Sequence, residues 1–167
     1  ESGGGYTDVV IDVDAGAEYQ FNGGGHTLVD STLTGTGTIR MHAGSAVMSE
    51  TGPGLGVFDP ARVWISGGTL NLGFDGVAGE LDQDSGTLTG SGLLTVTDLF
   101  AWSGGTQAGS GETLVLPGSR LVINGGSHWL SGRTLRHQST WGTSIYNHGW
   151  VYLYNDGTFI DDAGGLQ

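Results

Sequence analysis

Along this chain apolar and polar residues alternate in short runs and never settle into a longer period. Val9-Val10-Ile11-Asp12-Val13-Asp14 predicts a half-buried strand, with Val9, Ile11 and Val13 turned inward and Asp12 and Asp14 outward. Short strands are predicted likewise at 19–21, 27–31, 38–41, 46–49, 62–65, 69–72, 93–97, 99–102, 113–116 and 120–123. Between them stand glycines, which take a positive φ without steric cost and so suit tight corners. No apolar period of 3.6 residues persists for ten residues, and glycine interrupts nearly every candidate helix, so the expectation is an all-β chain. Residues 51–61, with Pro53, Gly54, Gly56, Asp59 and Pro60, break the rhythm and are predicted to bulge from one corner as a loop.

The corners recur. Thr87-Leu88-Thr89-Gly90-Ser91-Gly92-Leu93-Leu94 is answered by residues 106–113 and anticipated by residues 32–39. Paired glycines at Gly24-Gly25, Gly67-Gly68, Gly104-Gly105, Gly125-Gly126 and Gly164-Gly165 stand 43, 37, 21 and 39 residues apart, close to whole multiples of about 20, within the range of solenoid repeats. Regular short strands also fit an antiparallel sandwich or barrel. The near-constant coil favours a parallel β-helix (β-solenoid) of about 20 residues per turn and seven or eight turns, in which each turn lays its strands on those of the turn before.

Composition narrows the class. The 167 residues include 34 glycines and only 13% charged residues, without the strict triplet of collagen. Length is that of one domain. The expectation is a single module, 1–167, excised from a larger secreted protein. Seventeen carboxylates face five arginines, Arg40, Arg62, Arg120, Arg133 and Arg136, with no lysine. A net charge of −12 repels phosphate backbones and anionic lipid, which argues against nucleic-acid and membrane-surface partners. With no cysteine, thiolate metal sites and thiol redox chemistry are excluded. No apolar run is long enough for membrane insertion as a helix.

The run from Leu94 through Asp98, Phe100, Trp102 and Gly104-Gly105 to Thr106, followed by Gly109-Ser110-Gly111 and Leu130-Ser131-Gly132-Arg133-Thr134-Leu135, resembles the glycine-rich parallel β-helix repeats of very large bacterial secreted and cell-surface proteins of the haemagglutinin and autotransporter type. That resemblance spans roughly residues 86–165. It implies an extracellular scaffold used as adhesin, stalk or polymer-binding surface, and it carries no catalytic signature to transfer.

Candidate chemistry concentrates near the C-terminal end. In Trp150-Val151-Tyr152-Leu153-Tyr154 alternation sends Val151 and Leu153 to one face and Trp150, Tyr152 and Tyr154 to the other. Aromatic rings roughly 6.6–6.8 Å apart along a strand suit stacking on a glycan, and Trp129, Trp141, Tyr146 and His148 would widen that platform. The alternative is that these rings pack against a neighbouring β-helix module. Arg133 and Arg136, with His137, His128 and His148, form the basic neighbourhood; they could grip a uronate-bearing polysaccharide or pair with the chain's own acids. Glu80, Asp82 and Asp84 share one strand face and are candidate metal ligands for Ca²⁺, candidate acids of a polysaccharide hydrolase or lyase, or plain solvated carboxylates. No other cofactor is indicated.

Two functions therefore stand at this point. One is an extracellular, non-catalytic carbohydrate-binding module that holds a polysaccharide or cell-surface glycan on an aromatic stripe. The other is a structural repeat, stalk or adhesin module that contacts its neighbours. An enzyme ranks third.

Overall fold

The computed structural model describes residues 3–138, 145–147 (main chain) and 150–162. Every regular element among them is a β-strand, and these strands pair in parallel, forming a β-solenoid of about seven turns with about 22 residues each. Three faces repeat. The first is built from Gly4–Thr7, residues 25–29, 45–49, Thr69–Leu72, Thr87–Thr89, Gly105–Ala108, Ser127–Ser131 and Trp150–Tyr154. The second runs from Val10–Val13 through residues 32–35, 57–60, 76–78 and 93–96 to Glu112–Val115, Thr134–His137 and Thr158–Asp161. The third runs from residues 18–21 through 38–41, 62–65, 80–83 and 99–102 to Arg120–Asn124 and Ile145–Asn147.

Turn length is not constant. On the first face Ala46 pairs with Leu70, 24 residues on, and Leu70 with Leu88, 18 residues on. The register survives because the extra residues are absorbed at corners, and the alternation of each strand delivers the same inward positions. Those positions stack into a core of Leu28, Met48 and Leu72 under the first face, Leu33, Phe58, Leu94 and Val96 under the second, and Ile39, Val63, Leu81, Phe100 and Trp102 under the third. The interior is more aromatic than the Val, Leu and Ile filling that the repeat suggests, with Phe21, Phe58, Phe74, Phe100 and Trp102 buried in it.

Gly164-Gly165 lies outside the described residues; the pairs Gly24-Gly25, Gly67-Gly68, Gly104-Gly105 and Gly125-Gly126 mark one place, the corner leading from the third face to the first. There Gly44, Gly68, Gly86 and Gly105 stack with φ of 76°, 64°, 68° and 91°, and the carbonyls of Gly68 and Gly86 each accept the N–H of the next turn, from Thr87 and Thr106 at 2.9 Å. A Cβ on Gly86 would lie 2.6 Å from the Gly68 oxygen. Glycine is required here by conformation and by proximity together.

The Thr-Leu-Thr-Gly repeat differs. Residues 87–94 and 106–113 turn from the first face to the second, whereas residues 32–39 turn from the second to the third. The likeness is one of corner chemistry and not of phase. The predicted loop is also shorter than 51–61, because residues 57–60 pair with residues 32–35 and bury Phe58 and Pro60. What bulges is residues 50–56, tied down where Asp30 accepts the Thr51 N–H at 2.7 Å and Glu50 accepts the Gly54 N–H at 2.9 Å. Leu55 is left 54% exposed within it.

Candidate functional site

Ser127–Ser131 and Trp150–Tyr154 are consecutive strands of the first face, paired so that Trp129 lies beside Tyr152 and Ser131 beside Tyr154. His128 and Leu130 are buried, which fixes their register partners Val151 and Leu153 on the inward side and Trp150, Tyr152 and Tyr154 on the outward side. Trp129 then stacks on both tyrosines, with ring centroids 4.7 Å from Tyr152 at 21° and 5.3 Å from Tyr154 at 26°. Trp150 is 72% exposed and Tyr154 48%. The expected row along one strand is thus a cluster across two, and Trp129 is its centre because neighbouring strands stand closer (about 4.8 Å) than alternate residues on one strand.

Beside the cluster, small residues leave room. A notch of about 370 Å³ is lined by Thr106, Trp129, Ser131, Tyr154 and Asn155. Asn155 is held by its amide N–H donated to Ser131 Oγ at 3.0 Å, in a turn where Asn155 and Asp156 both have positive φ. An open, largely apolar notch with hydroxyl and amide groups on its walls offers stacking plus hydrogen bonds, the combination that binds sugar rings. Trp141, His148 and the side chain of Tyr146 lie outside the described residues.

The basic neighbourhood is arranged otherwise than a surface grip requires. Arg133 is fully buried. Its Nε donates to Thr113 Oγ1 at 2.9 Å, and one terminal nitrogen donates to the carbonyls of Gly92 (3.1 Å) and Glu112 (2.8 Å). Burial pushes its pKa down to about 10, partly opposed by the charge of Glu112, so it is still a cation at neutral pH. Arg136 faces outward, donating to Asp162 at 2.9 Å and Glu112 at 3.0 Å; these hydrogen bonds, that to Asp162 foremost, hold its pKa above the usual range. His128 and His137 both point into the core, His128 Nε2 lying 3.0 Å from the Trp102 carbonyl and His137 Nδ1 3.2 Å from Asp161.

Glu80, Asp82 and Asp84 do share an outward face, and each is engaged. Arg62 Nε reaches Asp82 at 2.6 Å and Glu80 at 3.6 Å, while Asp84 accepts from Trp64 Nε1 at 2.8 Å and Ser103 Oγ at 2.9 Å. Among the described residues no group of three His, Asp or Glu side chains is placed to hold a metal ion. Arg40 lies flat on Trp64, 3.8 Å from its ring, completing a ladder of charge and π contacts along the third face. Sequence reasoning missed this ladder, since Arg40, Trp64 and Asp84 meet only when turns of unequal length are stacked. It missed likewise the buried chain in which Thr113 donates to Gln107 at 2.6 Å and Gln107 to Gln83 at 2.8 Å.

No protein-family model matches this chain, and neither do any curated protein or solved structure.

Proposed function

We propose that the chain is an extracellular, non-catalytic polysaccharide-binding module, built on a β-solenoid of the haemagglutinin and autotransporter kind and displayed on, or secreted from, a bacterial cell. The observation that carries this reading is the Trp129–Tyr152–Tyr154 cluster, in which Trp129 and Tyr152 are half-buried and Tyr154 exposed, beside a notch of about 370 Å³ with Trp150 projecting next to it. Aromatic faces give a carbohydrate apolar contact at low entropic cost. The ligand class is a neutral glycan: Arg133 is spent inside the fold, Arg136 is held by two carboxylates, and the net charge of −12 opposes polyanions.

The test is retention of the purified chain on a panel of neutral and uronate-bearing polysaccharides, with and without Ca²⁺, which also examines the Glu80, Asp82 and Asp84 group. Retention by neutral glycans that is lost in Trp129→Ala, with the fold intact by circular dichroism, is the expected result. No retention across the panel refutes it.

A second reading, a stalk or adhesin module that stacks on a neighbour, draws on Leu153. It sits in register with buried Leu130, yet is 55% exposed, as an inward residue would be if a further turn or module covered it. Concentration-dependent association in sedimentation, without glycan retention, would favour this reading.

A further inference from the structure

The opposite end of the solenoid encloses a second cavity, of about 220 Å³, walled by the rings of Tyr6, Tyr19, Phe21 and His26 and floored by Ile11 and Leu28. It follows from the sequence of the first turns. Ile11 and Tyr19 occupy the inward positions that Leu33 and Ile39 fill one turn later. Tyr6 is in register with Leu28, but its ring folds back along its own strand, so that a Cβ on Gly4 would sit 3.2 Å from the tyrosine oxygen.

The rings converge at differing angles. Tyr6 stacks over His26 with centroids 6.3 Å apart and planes 13° apart, Phe21 meets His26 edge-on at 5.2 Å and 67°, and Tyr19 meets Phe21 at 5.2 Å and 72°. His26 is 5% exposed and its Nε2 lies 2.9 Å from the Gly23 carbonyl, which fixes its ring. Several π faces are therefore held around one small space, with Tyr6, 36% exposed, as its outer wall.

Charge selects the occupant. From residue 3 to residue 39 the chain has no arginine or lysine and carries Asp8, Asp12, Asp14, Glu18 and Asp30. The first cation, Arg40, is directed at Glu18 and Trp64. Such a field attracts cations. Among the described residues no carboxylate lines the cavity, so a metal ion or plain ammonium would lose its hydration shell without replacement. An alkylated ammonium group is weakly hydrated and gains from each aromatic face. We propose that this cage binds a quaternary or polymethylated ammonium group, independently of the glycan-binding face at the other end.

Tetramethylammonium chloride and tert-butanol, an uncharged molecule of similar size, are titrated separately into the 167-residue chain at constant ionic strength, following the ring resonances of Tyr6, Tyr19 and His26 by NMR. The cation is expected to shift these resonances and to bind about tenfold more tightly than the alcohol. Tyr6→Leu, which keeps an apolar wall, should remove that preference, and Tyr6→Phe should keep it. Equal binding of the two probes would mean a merely apolar cavity and overturn the proposal. So would an absence of shifts at these rings, or a preference that survives Tyr6→Leu.

Discussion

The stacked glycine corner makes a sharp prediction, because the chain contains a control for it. Gly86 and Gly118 both have positive φ, 68° and 89°. A Cβ on Gly118 meets nothing within 4 Å, whereas on Gly86 it would lie 2.6 Å from the Gly68 oxygen and 2.7 and 2.8 Å from the Gly67 carbonyl carbon and oxygen. Alanine in the left-handed region costs about 1–2 kcal/mol, and its stiffer unfolded chain returns roughly 0.4–1 kcal/mol. Gly118→Ala should therefore cost about 1 kcal/mol. Gly86→Ala carries the same cost plus overpacking of about 1–3 kcal/mol, since the obstructing atoms are backbone. The Gly68 oxygen among them is already the acceptor for Thr87 N–H at 2.9 Å, so it cannot retreat without weakening the ladder. The total is about 2–4 kcal/mol. Urea unfolding of both variants, followed by circular dichroism, measures the difference. If Gly86→Ala loses no more stability than Gly118→Ala, the close stacking of this corner is wrong, and with it the register of the first face.

Three further substitutions probe the buried polar groups. Arg133→Met removes the donors to Thr113, Gly92 and Glu112 and should destabilise by about 3 kcal/mol at roughly 1 kcal/mol per bond. Because burial lowers the Arg133 pKa to about 10, the unfolded chain binds that proton more tightly between pH 10 and the ordinary arginine range. The residue's contribution to stability rises only in that window, so the gap between wild type and Arg133→Met should stay flat from pH 6 to 9; a slope there would contradict the assignment. Gln107→Leu should cost about 2–3 kcal/mol by stripping Gln83 and Thr113 of a partner. Gln83→Leu combined with it should cost less than the sum of the single changes, as a double-mutant cycle in denaturant would show.

Much of this architecture was legible in the sequence, because a solenoid is written in local chemistry. Alternation placed Ile11, Val13, Val151 and Leu153 inward and Trp150, Tyr152 and Tyr154 outward, and the register with neighbouring strands agrees. Paired glycines located one corner at four of its repetitions, with Gly44 and Gly86 standing singly at two others, since close approach and positive φ favour glycine there. What could not be read was the registry between turns. Turn lengths between 18 and 25 residues decide that Trp129 meets Tyr152 and that Arg133 enters the corner beneath Gly92. The basic cluster around Arg133 read as surface because charged side chains are rarely buried. Its burial becomes intelligible only once the stacked carbonyls of Gly92 and Glu112 and the hydroxyl of Thr113 are seen to converge on it.

That interior polarity bears on how the aromatic face is held. Leu, Ile and Met stacked in columns, as in the earlier turns, allow one rung to replace another at little cost, since every inward position accepts a similar side chain. From Gln83 onward the core changes character. Gln83, Gln107, Thr113 and Arg133 form one directional chain of hydrogen bonds crossing successive turns, and a slipped register would leave each of these groups buried without a partner. Gln107 follows Thr106, which lines the notch, and Arg133 follows the strand of Trp129 by one corner. The specific register is thus enforced directly beneath the cluster whose geometry depends on it, whereas in the first turns the buried polar groups His26 and Ser31 bond locally to Gly23, Val29 and Val9 and form no such chain.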